Sequence, residues 1–305
     1  MFAEYALEPS LLATKESARH FVTQFGFENG RLIAKYPRTW EILVLEQVQS
    51  LPDQLRKTLV EYLLRLKRCC VDRGGNWQPT ESWLNNAISE HKRSPFAAIL
   101  SSSNPQNLDF ILTEGDADPL STHSSWQALR SREIPRNVQS FINALAPLLR
   151  CSRRVLFVDP NFTPKDRGFR DGLAAFLKAL VGGGGKWLAK DIFYVTGDER
   201  STPAEFQALC KSHLTAIIPQ GMAVTFNRCK ANQIHDRFVI TDVGGLKFGQ
   251  GLDTAGALEA IQNVMVTLLD QATSARLFDE YTGQISKYTF ESESKTVVTG
   301  TFRLR

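Results

Sequence analysis

Between residues 153 and 241 short apolar runs alternate with amphipathic stretches, and that alternation limits the folds open to the chain. Arg153-Arg154-Val155-Leu156-Phe157-Val158-Asp159-Pro160 reads as a buried strand ended by proline. Phe169, Leu173, Phe176, Leu177 and Leu180 recur at helical spacing, and the glycines at 182–185 stop that helix. Ile192 to Thr196 is a second strand, Pro203 to Leu214 a second helix, and Met222 to Phe226 a third strand. The run Phe238-Val239-Ile240 is a fourth. Strands separated by helices predict parallel strands joined by crossover helices.

The fourth strand opens the stretch richest in chemistry, QIHDRFVITDVGGLKFGQGLD, residues 233–253. Residues two apart on a strand point to one face, so His235 and Arg237 are expected side by side, with Phe238 and Ile240 turned away from Arg237 and Val239. An imidazole beside a permanent, fork-shaped cation suits phosphate. Asp242 closes the strand, Gly244-Gly245 makes the turn, and Leu246-Lys247-Phe248 reads as a short return strand ended by Gly249-Gln250-Gly251. An isolated histidine here would be a structural residue bonded to Asp236 or a carbonyl; Arg237 at +2, Asp242 at +7 and the glycine turn point to a site instead.

This order resembles the phospholipase D superfamily, whose signature is His-x-Lys, four residues, Asp, and then a glycine-containing stretch. His235 and Asp242 fill the His and Asp positions, and Arg237 stands where that family has Lys. Gly249-Gln250-Gly251-Leu252-Asp253 lacks the Ser and Asn of the most active members. The HDRF variant is similar to the phospholipase D-like C-terminal domain of microtubule-interacting-and-transport proteins and of bacterial relatives. The resemblance implies a mixed sheet flanked by helices over residues 149–305. It also implies catalysis by His235, Arg237 and Asp242, phosphate held by Arg237, Gly249 and Gly251, and no metal or other cofactor. In that family the histidine is a covalent nucleophile on phosphorus and a second histidine protonates the leaving group. A chain with one motif then implies a homodimer whose two His235 rings face each other. Bacterial relatives of this type suggest an antiviral or restriction setting.

Residues 1–148 carry no recognised motif and are expected to form a mainly helical domain. Leu55, Leu59, Tyr62, Leu63 and Leu66 make one apolar helical stripe, with Arg56, Lys57, Arg65, Lys67 and Arg68 mostly opposite. Thr80 is placed as a helix N-cap before Trp83 and Leu84, SPFAAIL (94–100) as a short strand, and Ile134 to Arg150 as a helix before the domain boundary. Residues 101–124 are turn-rich. At the other end, Ala272 to Tyr281 reads as a helix, and Lys287 to Glu291 with Thr296 to Leu304 as a strand hairpin.

At 43% hydrophobic and 22% charged, the 305 residues describe a globular protein rather than a disordered one. The net charge of +4 permits nucleic acid without demanding it. Five cysteines without C-x-x-C or zinc-type spacing are expected to be reduced and mostly buried, in a cytoplasmic protein with no membrane span. Two functions follow. One is a metal-independent phosphodiesterase, a nuclease acting on DNA or RNA as a homodimer. The other is an inactive module that binds phosphate in nucleic acid or lipid headgroup, with a protein partner on the N-terminal domain.

Overall fold

The computed structural model describes residues 1–113, 123–181, 185–254, 262–291 and 295–303. Gly182 to Gly184, part of the expected glycine stop, and Leu304, the expected end of the last strand, lie outside the described residues. The chain divides into two compact units, Met1–Arg130 and Ser131–Arg305.

The first unit corrects the expectation of a mainly helical domain. Among its described residues are five strands, β1 (Ala3–Leu7), β2 (Arg31–Lys35), β3 (Cys70–Asp72), β4 (Ile99–Ser101) and β5 (Ile111–Thr113), in the order β3-β2-β1-β4-β5. Every neighbouring pair is parallel. The central strands are buried, as parallel strands covered by helices must be: Tyr5, Ala6, Leu7, Leu32, Ile33, Ala34 and Ile99 all lie in the core. Helices α1 (Lys15–Gln24), α2 (Trp40–Val48), α3 (Asp53–Leu66) and α4 (Trp83–Arg93) supply the covering layers. In α3 the expected stripe is buried at Leu59, Leu63 and Leu66. The cap of α4 is Ser82, whose hydroxyl accepts from Asn85 N, rather than Thr80 two residues earlier.

The second unit is built on an eight-stranded mixed sheet in the order β13-β9-β8-β7-β10-β11-β12-β6. Its elements are β6 (Ser131–Pro135), α5 (Val138–Arg150), β7 (Arg154–Val158), α6 (Arg167–Ala179), β8 (Asp191–Gly197), α7 (Pro203–Leu214) and β9 (Ala223–Cys229). They continue with β10 (Arg237–Thr241), β11 (Gly245–Phe248), β12 (Asn263–Leu269), α8 (Gln271–Thr282) and β13 (Thr296–Thr299). As the alternation predicts, β7, β8 and β9 are parallel neighbours. β10 then runs antiparallel to β7 and forms a hairpin with β11.

Two further expectations are corrected. The boundary falls 18 residues before 148/149, because β6 pairs with β12 across the edge of the sheet and α5 packs on α6. The last strand, β13, pairs with β9 and not with residues 287–291; from that segment only Phe290 bridges to Cys229.

The sheet's core is anchored by Phe157 of β7, fully buried and stacked on Phe176 of α6 (5.7 Å) and Tyr194 of β8 (5.8 Å). Phe157→Ala is expected to destabilise the second unit by about 3–5 kcal/mol, because the sheet cannot collapse into the void. A denaturant titration reads this as a lower unfolding midpoint.

Candidate functional site

A hollow of about 280 Å³ opens where β7, β8 and β9 end and β10 begins. At about 30 Å³ per water it has room for several waters or for one phosphate with its ester oxygens. Clefts outside the carboxyl ends of parallel strands are a recurrent ligand position, because loops there converge without interrupting the sheet. Gly197, last residue of β8, lets them converge: a Cβ added there would stand 2.8 Å from the Pro160 carbonyl oxygen and 3.0 Å from the Ala231 Cβ.

His235 and Arg237 both line this hollow. The structure brings them together by a slightly different route from the one expected. β10 starts at Arg237, so His235 lies ahead of the strand, exposed, after the single 3-10 turn Ala231–Gln233. The guanidinium of Arg237 folds toward that loop and Nη1 donates to the His235 carbonyl oxygen (2.6 Å). Its Nε is buried and, among the described residues, has no hydrogen-bond partner. The neighbouring carboxylate of Asp236 is instead paired with Lys247 (2.8 Å). Arg237 therefore reaches the hollow with its guanidinium tied to the His235 backbone.

Three polar lining residues were not singled out in the sequence: Asn161 after β7, and Glu199 and Arg200 after β8. Arg200 Nη2 donates to Asn161 Oδ1 (3.4 Å), joining the two loops. The loop bearing Glu199 and Arg200 is held from beneath. Arg228, fully buried in β9, donates to the carbonyl oxygens of Asp198 (2.6 Å) and Ser201 on either side of them and pairs with Glu291 (3.0 Å). The Asp198 carboxylate accepts from Ala231 N (3.0 Å), tying the same loop to the one that leads to His235. The only sequence signal for these residues is position: each sits just past an apolar run, in DPN and TGDER.

Asp159 is the other residue that the sequence left without a role. Its side chain is fully buried at the end of β7, next to the register pair Val158–Phe238 and so beside Arg237. Oδ1 accepts from Asn161 N (2.9 Å) and Oδ2 from Leu252 N (2.6 Å). Burial pushes its carboxyl above the usual range, opposed by those two backbone bonds and by the Arg237 charge, while Asp253 adds to the rise.

Asp242, expected as a catalytic residue, is not at the hollow. It follows the far end of β10, where Oδ1 accepts from Arg153 N (2.8 Å) and Arg154 N (3.2 Å) and so fixes the start of β7. Gly249 and Gly251, expected to offer backbone N–H groups to phosphate, are not among the residues lining it either. Their segment is spent on packing. Leu252 N is taken by Asp159, and Leu252 and Thr254 lie on the first turns of α6, where Gly168 and Gly172 leave no room for a Cβ. Arg136 completes the anchor by pairing with Asp253. Among the described residues no group of three or more His, Cys, Asp or Glu side chains is placed to hold a metal ion. No helix among them is long and apolar enough to cross a membrane.

Asp242→Asn is therefore expected to lower stability by about 1–3 kcal/mol through weakened acceptance of two backbone donors. Asp242 does not line the hollow, so calorimetric titration of inorganic phosphate into the variant is expected to give the wild-type result.

No family model and no curated protein matches the chain. Among solved structures, a similar chain is TrmBL2, an archaeal chromatin protein whose structure is described as showing a novel mode of DNA binding. Identity is 12% and the TM-score 0.29 over 58% of this chain and 60% of that one, so the match spans less than two thirds of either length.

Proposed function

We propose that the second unit is a phospholipase D-like phosphodiester hydrolase, a nuclease, with His235 as the reacting imidazole and Arg237 as the phosphate clamp. One observation carries this reading: His235 and Arg237 line one open hollow. A guanidinium at the wall of an open hollow suits a ligand offering paired anionic oxygens. Arg200 adds a second cation at the same rim. An imidazole next to the bound phosphorus can carry a proton or a bond through the displacement. In the paired arrangement implied by the family, a second copy of the chain would bring its own His235 across a two-fold axis.

The competing reading is a module that binds phosphate groups without cleaving them. It is favoured by the glycine stretch, which donates elsewhere, and by His235, whose ring is hydrogen-bonded by no other described residue.

The test is cleavage of labelled single- and double-stranded DNA and RNA in EDTA. Wild type is expected to cut, and His235→Ala to lose about 10²–10⁴-fold in rate. Arg237→Ala is expected to weaken binding of the same oligonucleotide as well as its cleavage. Binding without cutting by wild type, unchanged in His235→Ala, would establish the module instead.

A further inference from the structure

We infer that the hollow holds a complete acid–base pair within one chain, with Glu199 as the general base and His235 as the general acid of a single in-line displacement. The inference rests on the phosphodiesterase reading and supplies the second group that a lone histidine lacks.

Glu199 is the carboxylate among the residues lining the hollow, alongside the guanidinium groups of Arg200 and Arg237. A carboxylate at a phosphate site repels the ligand, so its presence weakens binding unless it acts on something else, and a water is the obvious object. Its loop is not slack. Arg228 grips the carbonyl oxygens of Asp198 and Ser201 on either side, and the Asp198 carboxylate fastens the loop to Ala231 N. A buried arginine used to hold a surface turn fits a turn whose side chains must stand in one place.

The two groups reach the hollow on different loops. Glu199 follows β8 and His235 precedes β10, with the end of β7 between them. The hollow between them, about 280 Å³ and lined by Pro160 and Asn161, has room for a water, a phosphorus and a departing oxygen. Arg237 and Arg200 then face the non-bridging oxygens, where charge accumulates.

The step balances within these groups. A water oxygen bonds to phosphorus as its proton passes to the Glu199 carboxylate. The bond from phosphorus to the departing ester oxygen breaks, and that oxygen takes a proton from the His235 imidazolium. Glu199 then releases its proton to solvent and His235 regains one. No enzyme–phosphate bond forms, and no second subunit is needed.

Two substrates separate this from covalent catalysis by His235: methyl p-nitrophenyl phosphate, whose leaving group needs no proton, and a labelled oligonucleotide, whose leaving group does. Glu199→Gln is expected to lose about 10²–10⁴-fold in kcat on both. The loss in His235→Ala should be far smaller on the activated ester than on the oligonucleotide. The acid limb of the pH–rate profile should vanish in Glu199→Gln, and the rate per chain should hold on dilution to the monomer, followed by sedimentation. Equal loss on both substrates in His235→Ala with Glu199→Gln at wild-type rate, or a phosphohistidine trapped under alkaline quench, overturns the inference while leaving the hydrolase in place. A wild type that cleaves neither substrate removes both.

Discussion

The site depends on one buried carboxylate. Asp159 has no solvent to share its charge, and an ionised group in that position is tolerated only if every lone pair finds a donor or a cation. Its partners are Asn161 N, Leu252 N and the charge of Arg237, which belong to the end of β7, the glycine stretch and the start of β10. Satisfying Asp159 thus brings three separate segments to one point. Burial pushes its carboxyl up, against the two backbone bonds and the Arg237 charge.

The second unit was largely legible in the sequence, and the first was not, for one physical reason. Strands β7, β8 and β9 run five to seven residues and are separated by helices whose apolar stripes are plain. In the first unit β3, β4 and β5 are three residues long. A three-residue strand cannot display a period, and parallel strands buried on both faces do not alternate. The helical stripe of α3 was real, yet it described the covering layer and concealed the sheet beneath. The domain boundary moved for a related reason: β6 leaves Ser131, Arg132 and Glu133 exposed on an edge, so nothing apolar announces it as a strand.

Within the site, spacing found the pair that lies two residues apart and failed for the residues that distant loops deliver. His235 and Arg237 are two apart, and that proximity survives although only Arg237 is in a strand. Asp242 has the spacing of a motif residue, but spacing along a strand also measures distance: its five residues carry Asp242 to the opposite end of β10. Asn161, Glu199 and Arg200 owe their places to the end of the parallel strands and to Arg228 below them, relations between distant positions that periodicity cannot express.

The charges gathered at the hollow can then be weighed. A carboxylate near a guanidinium offsets part of what that cation offers an anion, as Asp159 does for Arg237 and as Glu199, adjacent in sequence, does for Arg200. A hollow built only to hold phosphate gains nothing from that cancellation. Asp159 is accounted for by the segments it joins, being buried and bonded to two backbone N–H groups. Glu199 is exposed and joins nothing of the kind, because its loop is already held by Asp198, Ser201 and Arg228. If the hollow takes phosphate as proposed, a carboxylate at its rim with no partner among the described residues, on a turn secured by its neighbours, has its use in the ligand or in the water beside it.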